Sequence, residues 1–110
     1  MPNTSVLLVQ APSDRSIEDM ARIEQLQGDT YGLRRLMRVA AHCDEGGVAI
    51  DVGANIGFFT ILLARMLPRA RVVAIEPSPT SFFWLRWNLH LNGVPTLEHE
   101  DECADAHRAD

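Results

Sequence analysis

Several features that place a chain in a class at sight are missing from this one. Cysteine is scarce: Cys43 and Cys103 show no metal-type spacing and build no disulfide framework, which argues against a disulfide-stapled secreted scaffold and fits a reducing, cytoplasmic compartment. Long hydrophobic runs are absent. No segment approaches the ~18–20 apolar residues needed to cross a bilayer. The run Val6-Leu7-Leu8-Val9 is too short for the core of a secretory signal and follows no basic residue. No lysine-rich stripe exists, and the net charge of −5 disfavours a broad nucleic-acid surface. What remains is 110 residues, 46% hydrophobic and 23% charged, an ordinary globular composition long enough for one small domain.

The chain is organised around Val48-Ala49-Ile50-Asp51-Val52-Gly53-Ala54-Asn55-Ile56-Gly57, followed closely by Val72-Val73-Ala74-Ile75-Glu76-Pro77. Gly47 to Val52 is almost wholly apolar and rich in branched residues, the pattern of a parallel strand covered on both faces. Gly53 and Gly57 bracket a turn in which the backbone reverses sharply and a ligand comes close, so φ > 0 is expected at one of them. Ile56 to Leu67 is apolar nearly all round and predicts a helix buried on more than one side, closed by Pro68. Arg71 to Ile75 is the second strand, with Glu76 at its carboxyl end. Together these segments form one βαβ unit with a small-molecule cradle at its open end.

A dinucleotide fingerprint, G-x-G-x-x-G, requires glycine where this chain has Asn55 and Phe58. Those glycines let pyrophosphate touch the backbone and the helix pack tightly on the strand, so a conventional pyrophosphate site is disfavoured. An adenosine cofactor without phosphate fits better, and S-adenosylmethionine is the common one. The combination I-D-V-G-A-N-I-G-F-F-T, A-I-E-P-S-P and L-R-W-N-L-H-L-N-G resembles the N-terminal half of an FkbM-type S-adenosylmethionine-dependent methyltransferase, over roughly Gly47 to Val94. The resemblance implies an α/β, Rossmann-like fold in which Asp51 and the backbone of Gly53, Ala54, Asn55 and Gly57 hold the methionine end of the cofactor. It implies that Glu76 takes the ribose hydroxyls. The implied reaction is methyl transfer to oxygen on a small molecule, glycan or lipid. Plainer roles stand beside these: Asp51 as a turn cap, Asn55 as a residue tolerant of left-handed backbone, Glu76 as a solvated strand end.

The flanks are read as follows. Residues 1–46 form an arm and helices: a loose segment to Pro12 whose Val6 to Val9 adds a short strand or packs on the domain, a helix from Ser13 or Ser16 to Gly28 carrying Ile17, Met20, Ile23 and Leu26, and a second over Leu33 to His42 with an arginine-rich outer face. Tyr31 is either pocket lining or a core anchor. Residues 47–97 are the cofactor-binding core. Its last helix runs from about Pro79 to Leu91, with Trp84 and Trp87 read as core, and stops at Asn92-Gly93. A third strand is expected over Val94 to Leu97, weakened by Pro95. Residues 98–110 read as an acidic, flexible tail. His99, Cys103 and His107 would share one face if that tail were helical, but no fourth ligand is evident and no metal is expected.

Groups that align or deprotonate a methyl acceptor normally follow the third and later strands of this architecture, and the chain offers none. No catalytic residue is nominated; Asp101 is a faint adenine-contact candidate. The expectation is an N-terminal portion of a longer methyltransferase, truncated after about the third strand. The rivals are a non-catalytic cofactor-binding remnant and an NAD(P)-binding oxidoreductase fragment.

Overall fold

The computed structural model describes residues 6–15, 17–19, 22, 32–100 and 103–106. Helix α1, Leu33–His42, starts after Gly32 in the left-handed conformation (φ 66°), where an added Cβ would lie 2.6 Å from Cζ of Phe59. Strand β1, Val48–Val52, pairs in parallel with β2, Arg71–Ile75, in the register Val48↔Arg71 through Val52↔Ile75. The crossover between them contains helix α2, Phe58–Met66, on which α1 packs. Helix α3, Pro79–Leu91, has Pro79 at its first turn and Ser78 as N-cap, whose Oγ accepts from the Ser81 amide at 3.4 Å. Strands β3, Thr96–Glu100, and β4, Cys103–Ala106, complete a sheet of order β1-β2-β4-β3 in which β4 is antiparallel to both neighbours.

The core lies on one face of this sheet. Ile61 and Leu62 of α2, Val72 and Ala74 of β2, and Leu85 and Leu89 of α3 are completely buried. The alternation that turns Ala49, Val72 and Ala74 inward turns Val48, Ile50 and Val52 outward. Those three are 55%, 61% and 76% exposed, so cover on both faces of the first strand, as its composition suggested, is realised on one face only. The reason is topological: among the described residues, the helices in contact with the parallel pair lie on one side.

Four further expectations change. The third strand begins at Thr96 rather than Val94, so Pro95 stands outside the ladder it would weaken. The acid-rich segment read as a flexible tail contributes the last residues of β3 and all of β4. In β4, Ala104 and Ala106 stand opposite Ala74 and Val72, so the small residues of an alternating Cys-Ala-Asp-Ala stretch align with the buried positions of β2. A helical face carrying His99, Cys103 and His107 is therefore not formed: His99 and Cys103 are on different strands, and His107 lies outside the described residues. Trp84 is half-buried and Trp87 is 48% exposed, so the tryptophans flank the core that Phe82, Leu85 and Leu89 fill.

Of the first predicted helix, Ile17–Asp19 and Arg22 are helical, while Met20, Ile23, Leu26, Gly28 and Tyr31 lie outside the described residues. The second agrees with α1, whose Arg34, Arg35 and Arg38 are exposed and whose Leu36 is buried. Removing the Leu85 side chain should cost about 2–5 kcal/mol. Gly57 has φ 102°, and a Cβ there would meet Leu85 Cδ1 at 2.6 Å. Gly57→Ala is thus expected to destabilise as well, and the double variant Gly57→Ala/Leu85→Ala by less than the sum, measured by denaturant unfolding.

Candidate cofactor site

After Val52 the chain reverses at Gly53 (φ 74°), and the amides of Gly53 and Ala54 both donate to the Ile75 carbonyl, at 2.8 and 3.0 Å. The turn therefore folds over the end of β2. Asn55 follows with φ 53°, the left-handed conformation that asparagine tolerates better than most residues. Its amide donates to Oε1 of Glu76 at 2.8 Å, and the Ser78 amide donates to Oε2 at 2.8 Å. Glu76 is only 9% exposed, and these two charge-assisted bonds compensate a carboxylate that would otherwise be costly to bury. It is not a solvated strand end.

Asp51, one residue before the end of β1, accepts a hydrogen bond at Oδ2 from the hydroxyl of Thr60 in α2, 2.6 Å away. Burial pushes its carboxyl above the ordinary aspartate value, the Thr60 bond pulls it back down, and the charge of Glu76 adds a further upward push. Asp51 and Glu76 thus place two carboxylates at the same end of the parallel pair. An anionic, partly desolvated site of this kind favours ligands that bring hydroxyl, ammonium or sulfonium groups.

All six residues singled out in the sequence, Asp51, Gly53, Ala54, Asn55, Gly57 and Glu76, belong to this one end of the sheet. Their backbone amides are largely committed within the protein, since Gly57 also donates, to the Ala54 carbonyl at 3.0 Å. The amides of Ile56 and Phe58, at the opening of α2, have no acceptor among the described residues. Sequence reading missed Thr60 and Ser78 as partners of the two carboxylates. It also missed Asn88, whose Nδ2 donates to the Ile56 carbonyl at 2.7 Å. The available signal was the same for Thr60 and Asn88: a single polar side chain within an otherwise buried helical line.

Elsewhere, His42 Nδ1 lies 2.7 Å from the Arg38 carbonyl on the exposed side of α1, away from this end. A groove of about 540 Å³ runs between α3 and the approach to β3, lined by Phe83, Arg86, Trp87, His90, Val94, Pro95 and Thr96, and it contains none of the cradle residues. Among the described residues no cluster of His, Cys, Asp and Glu is arranged to hold a metal ion. Among them, too, no helix is long and apolar enough to cross a membrane.

A parallel strand pair joined through a helix, with a glycine turn locked onto a buried carboxylate, defines a mixed α/β domain of the kind methyltransferases use. The chain belongs to the TRM5/TYW2 methyltransferase domain family, an S-adenosylmethionine-dependent methyltransferase domain whose family model matches residues 19–103. It is 38% identical over 74 residues to the tRNA(Phe) (4-demethylwyosine(37)-C(7)) aminocarboxypropyltransferase of Methanocaldococcus jannaschii, covering 67% of this chain and 28% of that protein. It is 44% identical over 53 residues to Methyltransferase sdnD of Sordaria araneosa and 38% identical over 49 residues to Methyltransferase 1 of Beauveria bassiana. Each of these covers 44% of this chain and 20% of the relative. The chain thus spans between about a fifth and under a third of the length of these relatives. No solved structure matches it.

The raised pKa of Asp51 has a stability consequence of definite sign. The folded state holds the proton more tightly than the unfolded chain. This contribution is therefore fully present below the ordinary aspartate value of about 4 and is lost as pH rises through the raised folded value. Asp51→Asn keeps an acceptor for Thr60 without the charge. It should raise the melting temperature at pH 7, with the gain over the parent shrinking towards zero as pH falls below about 4, measured by calorimetric melts across that range.

Proposed function

We propose that the chain binds S-adenosylmethionine in a Rossmann-like frame, with residues 47–97 as the cofactor-binding core. Asp51 and the turn from Gly53 through Ala54 and Asn55 to Gly57 lie at the methionine end, and Glu76 at the ribose. The observation that carries this reading is Glu76: a buried strand-end carboxylate with each oxygen engaged by one backbone amide. A carboxylate has about four acceptor positions, so each oxygen keeps capacity for a ribose hydroxyl. A Cβ added at Gly53 would meet nothing within 4 Å, so the turn is open on the side a ligand would approach. The amide of the half-buried Phe58, at the start of α2, suits the cofactor's carboxylate. When bound, the cofactor supplies a methyl group already activated on sulfonium, leaving the protein chiefly to align donor and acceptor.

The finer reading is oxygen-directed transfer of the FkbM type to a small molecule, glycan or lipid. The sequence resemblance and the acidic net charge support it. A nucleic-acid acceptor is the second reading, because the archaeal relative is named for action on a tRNA; this reopens a class that charge alone had set aside. That relative is also named for transfer of an aminocarboxypropyl group, the methionine side of the same sulfonium; the family and the two fungal methyltransferases favour methyl. A cytoplasmic setting belongs to the same proposal. No catalytic residue is assigned among the described ones, and a non-catalytic cofactor-binding unit is the form the protein takes if binding occurs without turnover.

Calorimetric titration with S-adenosylhomocysteine and with NAD, side by side, tests the cofactor. The former should bind and the latter should not. Glu76→Gln should weaken the binding by about ten- to a hundredfold, because one hydroxyl acceptor is lost and a donor is turned towards an amide. Binding of NAD alone, or unchanged affinity in Glu76→Gln, would sink the proposal. Retention of tRNA on a filter at physiological salt would favour the nucleic-acid acceptor.

A further inference from the structure

The polar residue buried most deeply in α3 does not touch the carboxylates; it joins the glycine turn to the N-terminal arm. Asn88 is fully buried between Leu85 and Leu89, and its side chain makes three hydrogen bonds that use both of its donors. Oδ1 accepts from the Val9 amide at 2.8 Å, while Nδ2 donates both to the Val9 carbonyl at 3.0 Å and to the Ile56 carbonyl at 2.7 Å. Asn92 repeats the pattern one turn later: Oδ1 accepts from the Leu7 amide at 3.1 Å, and Nδ2 donates to the Leu7 carbonyl at 2.7 Å and to the Asn88 carbonyl at 2.8 Å.

The spacing explains why two asparagines can do this. Four helical residues advance about 6 Å, and two residues of extended chain about 6.6 Å. Side-chain amides at i and i+4 therefore meet alternate peptide groups of an extended arm as the rungs of a neighbouring strand would. Leu8, the intervening residue, and Val6 before it pack on the core.

We propose that Asn88 is a positioning residue through which the docked arm sets the shape of the cofactor turn. The contacts run without a gap from Val9 to Asn88, from Asn88 to Ile56, and through the adjoining peptide to Asn55 and Glu76. The two Nδ2 hydrogens are divided between arm and turn. If the arm leaves, a buried amide loses two of its three partners, and the position that holds the Ile56 carbonyl is no longer fixed from both sides. This rests on the cofactor reading above for its effect on affinity, though not for the coupling between arm and turn.

The test compares the parent chain with one lacking residues 2–10 and with Val9→Pro, which removes the Val9 donor and keeps its carbonyl. Two readouts are used: hydrogen exchange at the Asn55 and Gly57 amides, and titration with S-adenosylhomocysteine. Loss of the arm should speed exchange at both amides by about tenfold or more while Val72 and Leu89 stay protected, and weaken the ligand by about tenfold. A synthetic peptide of residues 1–12 added in trans should restore both. Val9→Pro should stay folded and shift both readouts in the same direction, and it decides the matter if the shortened chain does not fold. Parent-like exchange and affinity in a folded variant without the arm contacts would overturn the proposal. A parent chain that binds no S-adenosylhomocysteine would defeat the cofactor reading alone, and exchange at Asn55 and Gly57 would still decide the coupling.

Discussion

The cradle depends on the bonds that the Glu76 carboxylate makes to the amides of Asn55 and Ser78. One oxygen holds the turn that leaves β1 and the other holds the segment that leaves β2, so a single side chain fixes two loops at the ends of two parallel strands. The Ile75 carbonyl reinforces this by accepting from both Gly53 and Ala54. Because the carboxylate is nearly buried, those amide bonds are made in a medium that screens them poorly, which strengthens them. The same burial makes their loss costly. Left-handed backbone at Gly53, Asn55 and Gly57 brings the turn to that position, at a conformational cost only at Asn55, which has a side chain.

Around this lock the domain is built to different standards on its two faces. Helices α2 and α3 close one face of the parallel pair with fully buried aliphatic side chains, and Gly57 lets the turn approach Leu85 where no Cβ would fit. The opposite face of β1 stays open, with its valines and isoleucine facing outward. Two carboxylates stand at one end of the sheet, and burial, with a smaller push from the charge of Glu76, raises the pKa of Asp51.

Much of the cradle could be read in the residues. The alternation of Asp51, Gly53, Asn55 and Gly57 placed the turn, and Glu76 at the end of an apolar run placed the carboxylate, because strand ends and glycine turns are local features with local causes. The strand at Arg71–Ile75 and the start and stop of α3 agree with their sequence signals for the same reason. The segment after Glu98 was misread because its carboxylates dominate any reading by charge, while its pairing partner, β2, lies far away in sequence. Trp87 was misread because helical spacing shows which residues share a face but not whether another element covers that face.

By itself the sequence determined the βαβ unit, its glycine turn and the carboxylate at the end of its second strand, since each is written in a few consecutive residues whose backbone preferences and apolar pattern have one reasonable outcome. Only the tertiary structure decided that Glu76 bonds the turn rather than facing solvent, that β4 inserts between β2 and β3, and that Asn88 and Asn92 grip an arm some eighty positions away. Those are contacts between distant segments. Their existence depends on which surfaces the packed helices and strands bring within hydrogen-bond reach, and no local preference of the chain encodes that.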